Sequence, residues 1–352
     1  MESRFMKGNE AIAEAAILCG CRYFFGYPIT PQNEIPEYMS WRLPEVGGTF
    51  VQAESEVAAI NMVYGAAGAG ARVMTSSSSP GISLKMEGLS YIAGADLPCV
   101  IVNIMRAGPG LGGIQPSQSD YFQATKGGGH GDYHAIVYAP STIQEAVDMI
   151  QLSFDKADEY RMPVMMLGDG LIGQMMEPVS LHEKKPMDTD KSWATTGWDR
   201  KSRERAVVNS LSLVAEELEQ LNIKRQKKYE TIKETEVKYS TVNAQDCDIL
   251  VVAYGSVARI VRSVIEENQD ENLKIGLFCP LTLWPYPEKE LRALSKGKKA
   301  IFCVEMSSGQ MLEDVKLSVL EAAPIHFYGR MGGMVPTEED IYAKIKELKE
   351  VL

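Results

Sequence analysis

The sequence predicts an α/β protein: a doubly wound parallel sheet, followed by a second, smaller α/β unit. Three observations carry that expectation. Apolar runs rich in β-branched residues, such as Leu97–Met105, alternate with longer amphipathic stretches, the order required by a parallel sheet covered on both faces. A heavily charged stretch interrupts this alternation, which resumes at Cys247. The chain has 352 residues, 45% hydrophobic and 24% charged, enough for about two domains. The expected division is 1–185, a charged helical linker over 186–243, and 244–352.

Composition excludes several roles. No apolar run is long enough to span a bilayer, and the opening Met-Glu-Ser-Arg-Phe-Met-Lys lacks a signal-peptide pattern, so a cytoplasmic location is expected. A net charge of −11 argues against binding nucleic acid or a membrane surface. The cysteines Cys19, Cys21, Cys99, Cys247, Cys279 and Cys303 form no Cys-x-x-Cys pair, and most lie in apolar strands. No zinc or iron–sulfur signature follows from them.

In chain order, Gly8 to Leu18 is an alanine-rich amphipathic helix ending at Cys19-Gly20. The short strand Tyr23–Gly26 runs into Tyr27-Pro28-Ile29-Thr30-Pro31, where two prolines stiffen the loop and remove two donors. That loop is either a plain strand-to-helix turn or a ligand loop, since open α/β sheets bind ligands at strand carboxyl ends. From Val51 to Gly81 the chain reads as strand end, helix, strand Val73–Ser76 and a Ser/Gly exit loop. Ser55 is the expected N-cap, placing Glu56, Ile60, Val63 and Ala67 on one stripe. Glu56 therefore points inward, whereas Glu54 lies before the cap. A carboxyl on an apolar stripe is either a half-solvated first-turn glutamate or a buried acid that exchanges a proton with a ligand.

Leu97–Met105 reads as a central strand ending on Arg106, a clamp for carboxylate or phosphate or else the partner of a structural acid. Gly108-Pro-Gly-Leu-Gly-Gly113 matches the dinucleotide pattern in letters only. Pro109 and Pro116 spoil its context, and no strand with a terminal acid follows. The glycine-rich segment Lys126–His134 reads as a mobile lid; His130 and His134 lack the fixed geometry a metal requires. Strands His134–Tyr138 and Pro163–Leu167 flank a helix over Thr142–Tyr160. Gly168-Asp169-Gly170 lacks the later asparagine of a magnesium–diphosphate motif and reads as a turn. Arg200 to Lys238 reads as helical, with Val207, Leu211, Leu213, Val214, Leu218 and Leu221 as an inner stripe packed on the body or a partner. The second unit follows with strands near Cys247–Tyr254, Ile275–Cys279, Ala300–Glu305 and Ile325–Tyr328. Helices fall at Val257–Glu266, Glu288–Leu294 and Leu312–Leu320, and Pro280–Pro287 is a loop.

Tyr27-Pro-Ile-Thr-Pro31, Ser55-Glu56, the Thr75–Gly81 turn and Arg106 together resemble the 2-oxoacid:ferredoxin oxidoreductases, over almost the whole length and nearest their branched-chain members. The resemblance implies a pyrimidine-type thiamine-diphosphate-binding domain and, through Pro280-Leu-Thr-Leu-Trp-Pro-Tyr-Pro287, a transketolase C-terminal-like domain. It implies that Glu56 hydrogen-bonds the aminopyrimidine, Arg106 binds the substrate carboxylate and Thr30 lies against the oxo-acid end. Tyr27, Pro28, Ile29 and Thr30 form the cofactor-side loop. It further implies CoA-dependent oxidative decarboxylation of a 2-oxoacid, with electrons passing singly through iron–sulfur clusters to ferredoxin. Magnesium, the diphosphate and the clusters then belong to partner subunits, no metal to this chain, and the chain alone is inactive. The apolar loop Ala107–Ile114 favours a branched-chain acid; 2-oxoglutarate would need a second cation, with Lys126 or His130 first in line. A non-catalytic scaffold and a nucleotide-binding dehydrogenase are the remaining alternatives.

Overall fold

The computed structural model describes residues 3–198, 200–201, 204–270 and 272–351. Seven strands form the larger sheet, in spatial order Thr282–Trp284, Ile136–Tyr138, Pro163–Asp169, Cys99–Met105, Val73–Ser77, Tyr23–Gly26 and Thr49–Gln52. All neighbours are parallel except Thr282–Trp284, which runs antiparallel along Ile136–Tyr138. Cys99–Met105 and Pro163–Asp169 pair over their full length and are buried at every residue, as continuous apolar runs in a covered sheet must be. The smaller sheet has the order Ile325–Gly329, Ala300–Glu305, Ile249–Val252, Ile275–Pro280, Tyr239–Val242. Its first four strands are parallel, and Tyr239–Val242 closes one edge antiparallel. Ser3–Lys7 pairs separately with Met176–Ser180.

The central helix, Glu56–Gly68, starts where its cap predicts: Ser55 Oγ accepts from the Ala58 amide at 3.2 Å. Ile60, Val63 and Ala67 are buried along its inner face. The expected Ser/Gly exit loop is instead the start of a 16-residue helix, Ser79–Gly94. Ser78 is extended and Pro80 falls in the first turn, where its missing N–H has no intrahelical partner to lose.

Three further expectations are corrected. The helix expected from Arg200 begins only at Ala215 and ends at Thr235. Ahead of it, the Asn209 side chain bonds both the amide and carbonyl of Leu211, a local arrangement that competes with helix formation. Val207, Leu211, Leu213, Val214, Leu218 and Leu221 are consequently 38–88% exposed and form no inner stripe. Asp199, Ser202 and Arg203, near the start of that expected helix, lie outside the described residues. Gly168-Asp169-Gly170 is not a free turn: the strand continues to Asp169, which caps the helix Gly170–Gln174. Pro280–Pro287 contains the edge strand of the larger sheet.

The two sheets are joined by residues 117–126. Gln118 donates to the Tyr254 carbonyl at 2.8 Å and exchanges bonds with Met306, while Gln310 spans the Ser119 carbonyl and the Phe122 amide. No described helix is long and apolar enough to cross a membrane.

Candidate active site

The first turn of the Ser79–Gly94 helix gathers the residues singled out in the sequence. Glu56, at the first position of its own helix, is 7% exposed, and no hydrogen bond to its carboxylate exists among the described residues. The carboxylate lies against the bare Cα of Gly81: a methyl there would stand 2.7 Å from Glu56 Oε1 and 2.1 Å from Ser77 Oγ. Glycine is required by that close approach. The hydroxyls of Ser77 and Ser78 are buried without partners among the described residues. One turn beyond Gly81, Lys85 is 2% exposed and donates to Thr75 Oγ1 at 2.7 Å. Burial draws its ammonium down to about 7, against an opposing pull from Glu56.

Tyr27–Pro31 is held by its backbone. Gln32 donates to the Tyr27 carbonyl, and Asn9 and Gln174 both donate to that of Pro31. Gln32 also accepts from Ser76 at 2.5 Å, fixing the loop to the end of a sheet strand. Pro28 and Thr30 are left exposed, with Tyr27 and Ile29 half-buried. The Thr30–Pro31 peptide is cis.

Arg106 is buried at the end of Cys99–Met105 and forms no salt bridge with any described acid. Its Nη1 donates to the Thr30 carbonyl at 3.1 Å and its Nη2 to the Leu111 carbonyl at 3.0 Å, while Nε has no partner among the described residues. Arg106 thus joins the Tyr27–Pro31 loop to the glycine-rich loop behind it. Ser79 Oγ bonds the Arg106 backbone, and Gly81 lies beside Glu56, so the first turn of this helix contacts both residues. Beside them lies Asp120, whose carboxyl is raised by burial despite donation from Ser79 and Asn103. A cavity of about 610 Å³ opens here, lined by Ser79, Ala107, Gly108, Asp120, Met306 and Gln310 among others. The loop 107–113 folds back on the Ala107 carbonyl and opens no helix, which fits rejection of the dinucleotide pattern.

Lys126–His134 does not cover this site within the chain. Lys126 pairs with Asp314, His130 lies edge-on to Tyr91, and the His130 amide bonds Ser90 near the far end of the Ser79–Gly94 helix. His134 stacks on Trp284 at 4.4 Å and meets Tyr229 edge-on; burial and the charges of Lys233 and Lys126 lower its pKa. Among the described residues no His/Cys/Asp/Glu group has the arrangement of a metal site. Asp169 is fully engaged, accepting from Leu171, Ile172 and both the amide and hydroxyl of Ser256.

Sequence reasoning singled out Glu56, Thr30 and Arg106 but missed Gln32, Lys85 and Asp120. Lys85 sits in Ser-Leu-Lys-Met-Glu, which looks like an ordinary surface turn until the helix register turns it inward.

A family model described as pyruvate flavodoxin/ferredoxin oxidoreductase, thiamine-diphosphate-binding, matches residues 14–253. A second, pyruvate:ferredoxin oxidoreductase core domain II, matches residues 247–341. The chain is 47% identical over 351 residues to the ketoisovalerate oxidoreductase subunit VorB of Methanothermobacter marburgensis, covering 99% of this chain and 98% of that one. The 2-oxoglutarate synthase subunit KorA of Methanocaldococcus jannaschii is 34% identical, with 97% and 98% covered. Among solved structures, the 2-oxoglutarate:ferredoxin oxidoreductase from Magnetococcus marinus, with 2-oxoglutarate, coenzyme A and succinyl-CoA bound, superimposes with a TM-score of 0.88 at 27% identity. The match covers 99% of this chain but 65% of that longer one.

Proposed function

The chain belongs to the pyruvate flavodoxin/ferredoxin oxidoreductase family, whose matched domain binds thiamine diphosphate, and on that premise we propose a specific role for it. It is the pyrimidine-holding subunit of a complex that oxidatively decarboxylates 3-methyl-2-oxobutanoate to an acyl-CoA and CO2, passing electrons to ferredoxin. One observation carries this reading: a buried carboxyl, Glu56, and a buried guanidinium, Arg106, neither in a salt bridge among the described residues, belong to residues that both contact the first turn of one helix.

These residues fit the cofactor's pyrimidine end. Glu56 would hold a ring nitrogen, since its carboxylate has no hydrogen bond from the described residues and Gly81 leaves room beside it. The orphaned hydroxyls of Ser77 and Ser78 are free to bond a polar ligand edge. Bound there, thiamine diphosphate supplies the carbanion chemistry that lets the substrate carboxyl leave as CO2. Glu56 holds and returns a proton at the ring nitrogen, a role that needs a carboxyl screened from water. Arg106, fixed by two carbonyls and with Nε lacking a partner among the described residues, would bind the substrate carboxylate, and Thr30 offers its hydroxyl at the exposed lip. Asp169 is committed to Ser256 and its own helix, which supports placing magnesium and the diphosphate on a partner subunit. Iron–sulfur clusters are assigned to partners as well.

The branched-chain substrate is favoured by the relative at 47% identity and by the apolar side chains of Leu111 and Ile114 beside Arg106, 82% and 58% exposed. Lys126, one candidate second cation for 2-oxoglutarate, is paired with Asp314 instead. The six unpaired thiols suit a reducing, cytoplasmic compartment.

The test is anaerobic viologen reduction by the co-expressed complex with coenzyme A and a panel of 2-oxoacids. Preference for 3-methyl-2-oxobutanoate is expected, and preference for 2-oxoglutarate would move the substrate assignment. Glu56→Gln should leave assembly intact and lower turnover roughly 10²- to 10⁴-fold; undiminished turnover would return the chain to a scaffold role.

A further inference from the structure

Ser79 has a positive φ of 21°, where residues other than glycine are seldom found. A backbone of that kind persists only where its surroundings over-determine it, and such residues cluster at functional sites. Here the surroundings are explicit. The Ser79 amide donates to Asn103 Oδ1 at 3.2 Å, Asn103 Nδ2 donates to Asp120 Oδ2 at 2.9 Å, and the Ser79 hydroxyl donates to the same Oδ2 at 2.7 Å. A serine opening a helix ordinarily turns its oxygen on the free amides of that helix's own first turn. Among the described residues Ser79 Oγ bonds none of them and accepts instead from the Arg106 amide at 3.0 Å. The strand Cys99–Met105 has ended one residue earlier, so that amide lies past its ladder. A hydroxyl carries one proton, and the short bond to a carboxylate takes it, which leaves the oxygen's lone pairs to the Arg106 amide.

We propose that Ser79 is a positioning residue for Arg106: Asp120 and Asn103 fix the direction of its hydroxyl, and the hydroxyl fixes the backbone from which the guanidinium reaches the substrate carboxylate. The guanidinium is held at its far end by the carbonyls of Thr30 and Leu111, and Ser79 is the anchor at the near end. Asp120 belongs to the segment that joins the two sheets, two residues after Gln118, whose side chain bonds the Tyr254 carbonyl and the Met306 amide. The second sheet is thereby connected to the arginine through Asp120 and Ser79. The inference rests on the role proposed above for Arg106.

The test is dye reduction by the assembled complex with 3-methyl-2-oxobutanoate, for wild type, Ser79→Gly, Ser79→Ala, Asp120→Ala, Asp120→Asn and Arg106→Gln. Both Ser79 variants lose the hydroxyl, but glycine takes up a positive φ freely and alanine does not. KM for the 2-oxoacid should rise about tenfold in both, with kcat within about twofold of wild type, while Ser79→Gly melts at the higher temperature of the two. A serine of purely structural importance would move the Tm and leave KM alone. Asp120→Ala should raise KM in the same way. Asp120→Asn, which can still present an acceptor oxygen to Ser79 and Asn103, should return it to within about threefold of wild type. Unchanged KM in both Ser79 variants would overturn the proposal, as would failure of all four Ser79 and Asp120 variants to assemble. If Arg106→Gln raises KM and the Ser79 variants do not, the positioning role alone falls; if Arg106→Gln leaves KM unchanged, the carboxylate-binding role of Arg106 falls with it.

Discussion

At the scale of single residues, the site depends on what is missing as much as on what is present. A methyl at Gly81 would overlap Ser77 Oγ and press on Glu56 Oε1. Gly81→Ala should therefore lower kcat/KM on the order of 100-fold by displacing the carboxyl, measured by dye reduction in the complex. Lys85 carries a stability signature as well. Unfolded, it binds a proton below its ordinary 10.5; folded, below about 7. Between those values the unfolded chain holds the extra proton, so stability rises with pH through that window, by at most about 1.4 kcal/mol per unit, and the deficit is complete below 7. Lys85→Met removes the deficit. Its unfolding free energy relative to wild type should be most favourable at pH 6 and fall as pH approaches 10, read by denaturant titration at a series of pH values. Glu56 was legible in the sequence because a carboxyl interrupts an apolar stripe. Lys85 was not: its burial depends on a helix whose first residues the sequence reading placed in a loop.

At the scale of elements, most strands and long helices were legible, because continuous apolar runs and helical stripes leave direct marks. Cys99–Met105 and Ala300–Glu305 fall where the periodicity puts them. The failures have local causes. Four serines before Pro-Gly look like a turn, yet they supply a strand end, a cap and a first helical turn in succession. The apolar side chains of 207–221 have helical spacing, yet Asn209 bonds its own neighbours and the helix starts later. Asp169 was taken for a turn residue because its partner, Ser256, is 87 positions away. Its carboxylate joins the end of one strand to the first turn of the helix Gly255–Glu267. Asp169→Asn would set an NH2 donor against the Ser256 amide and should cost about 1–3 kcal/mol in a thermal or denaturant melt.

At the scale of the whole molecule, the alternating pattern indicated two sheets but not how they are joined. That joining relies on side chains such as Gln118 and Gln310, whose partners lie far along the chain and leave no periodic trace. The strand Thr282–Trp284, from the second half of the sequence, completes the sheet formed by the first half. Trp284 is buried there against His134 and Tyr229. Trp284→Ala should cost about 3–5 kcal/mol and lower the Tm, without changing the KM for the 2-oxoacid in the fraction that remains folded. The same crossing sets a timetable for synthesis. Between Tyr138 and Thr282 lie about 140 residues, so on the ribosome Ile136–Tyr138 waits about 7–30 s at 5–20 residues per second for its neighbour to emerge. A bare strand edge invites pairing with a stranger, and the safeguard here is brevity, since three residues offer a nascent neighbour too little to hold.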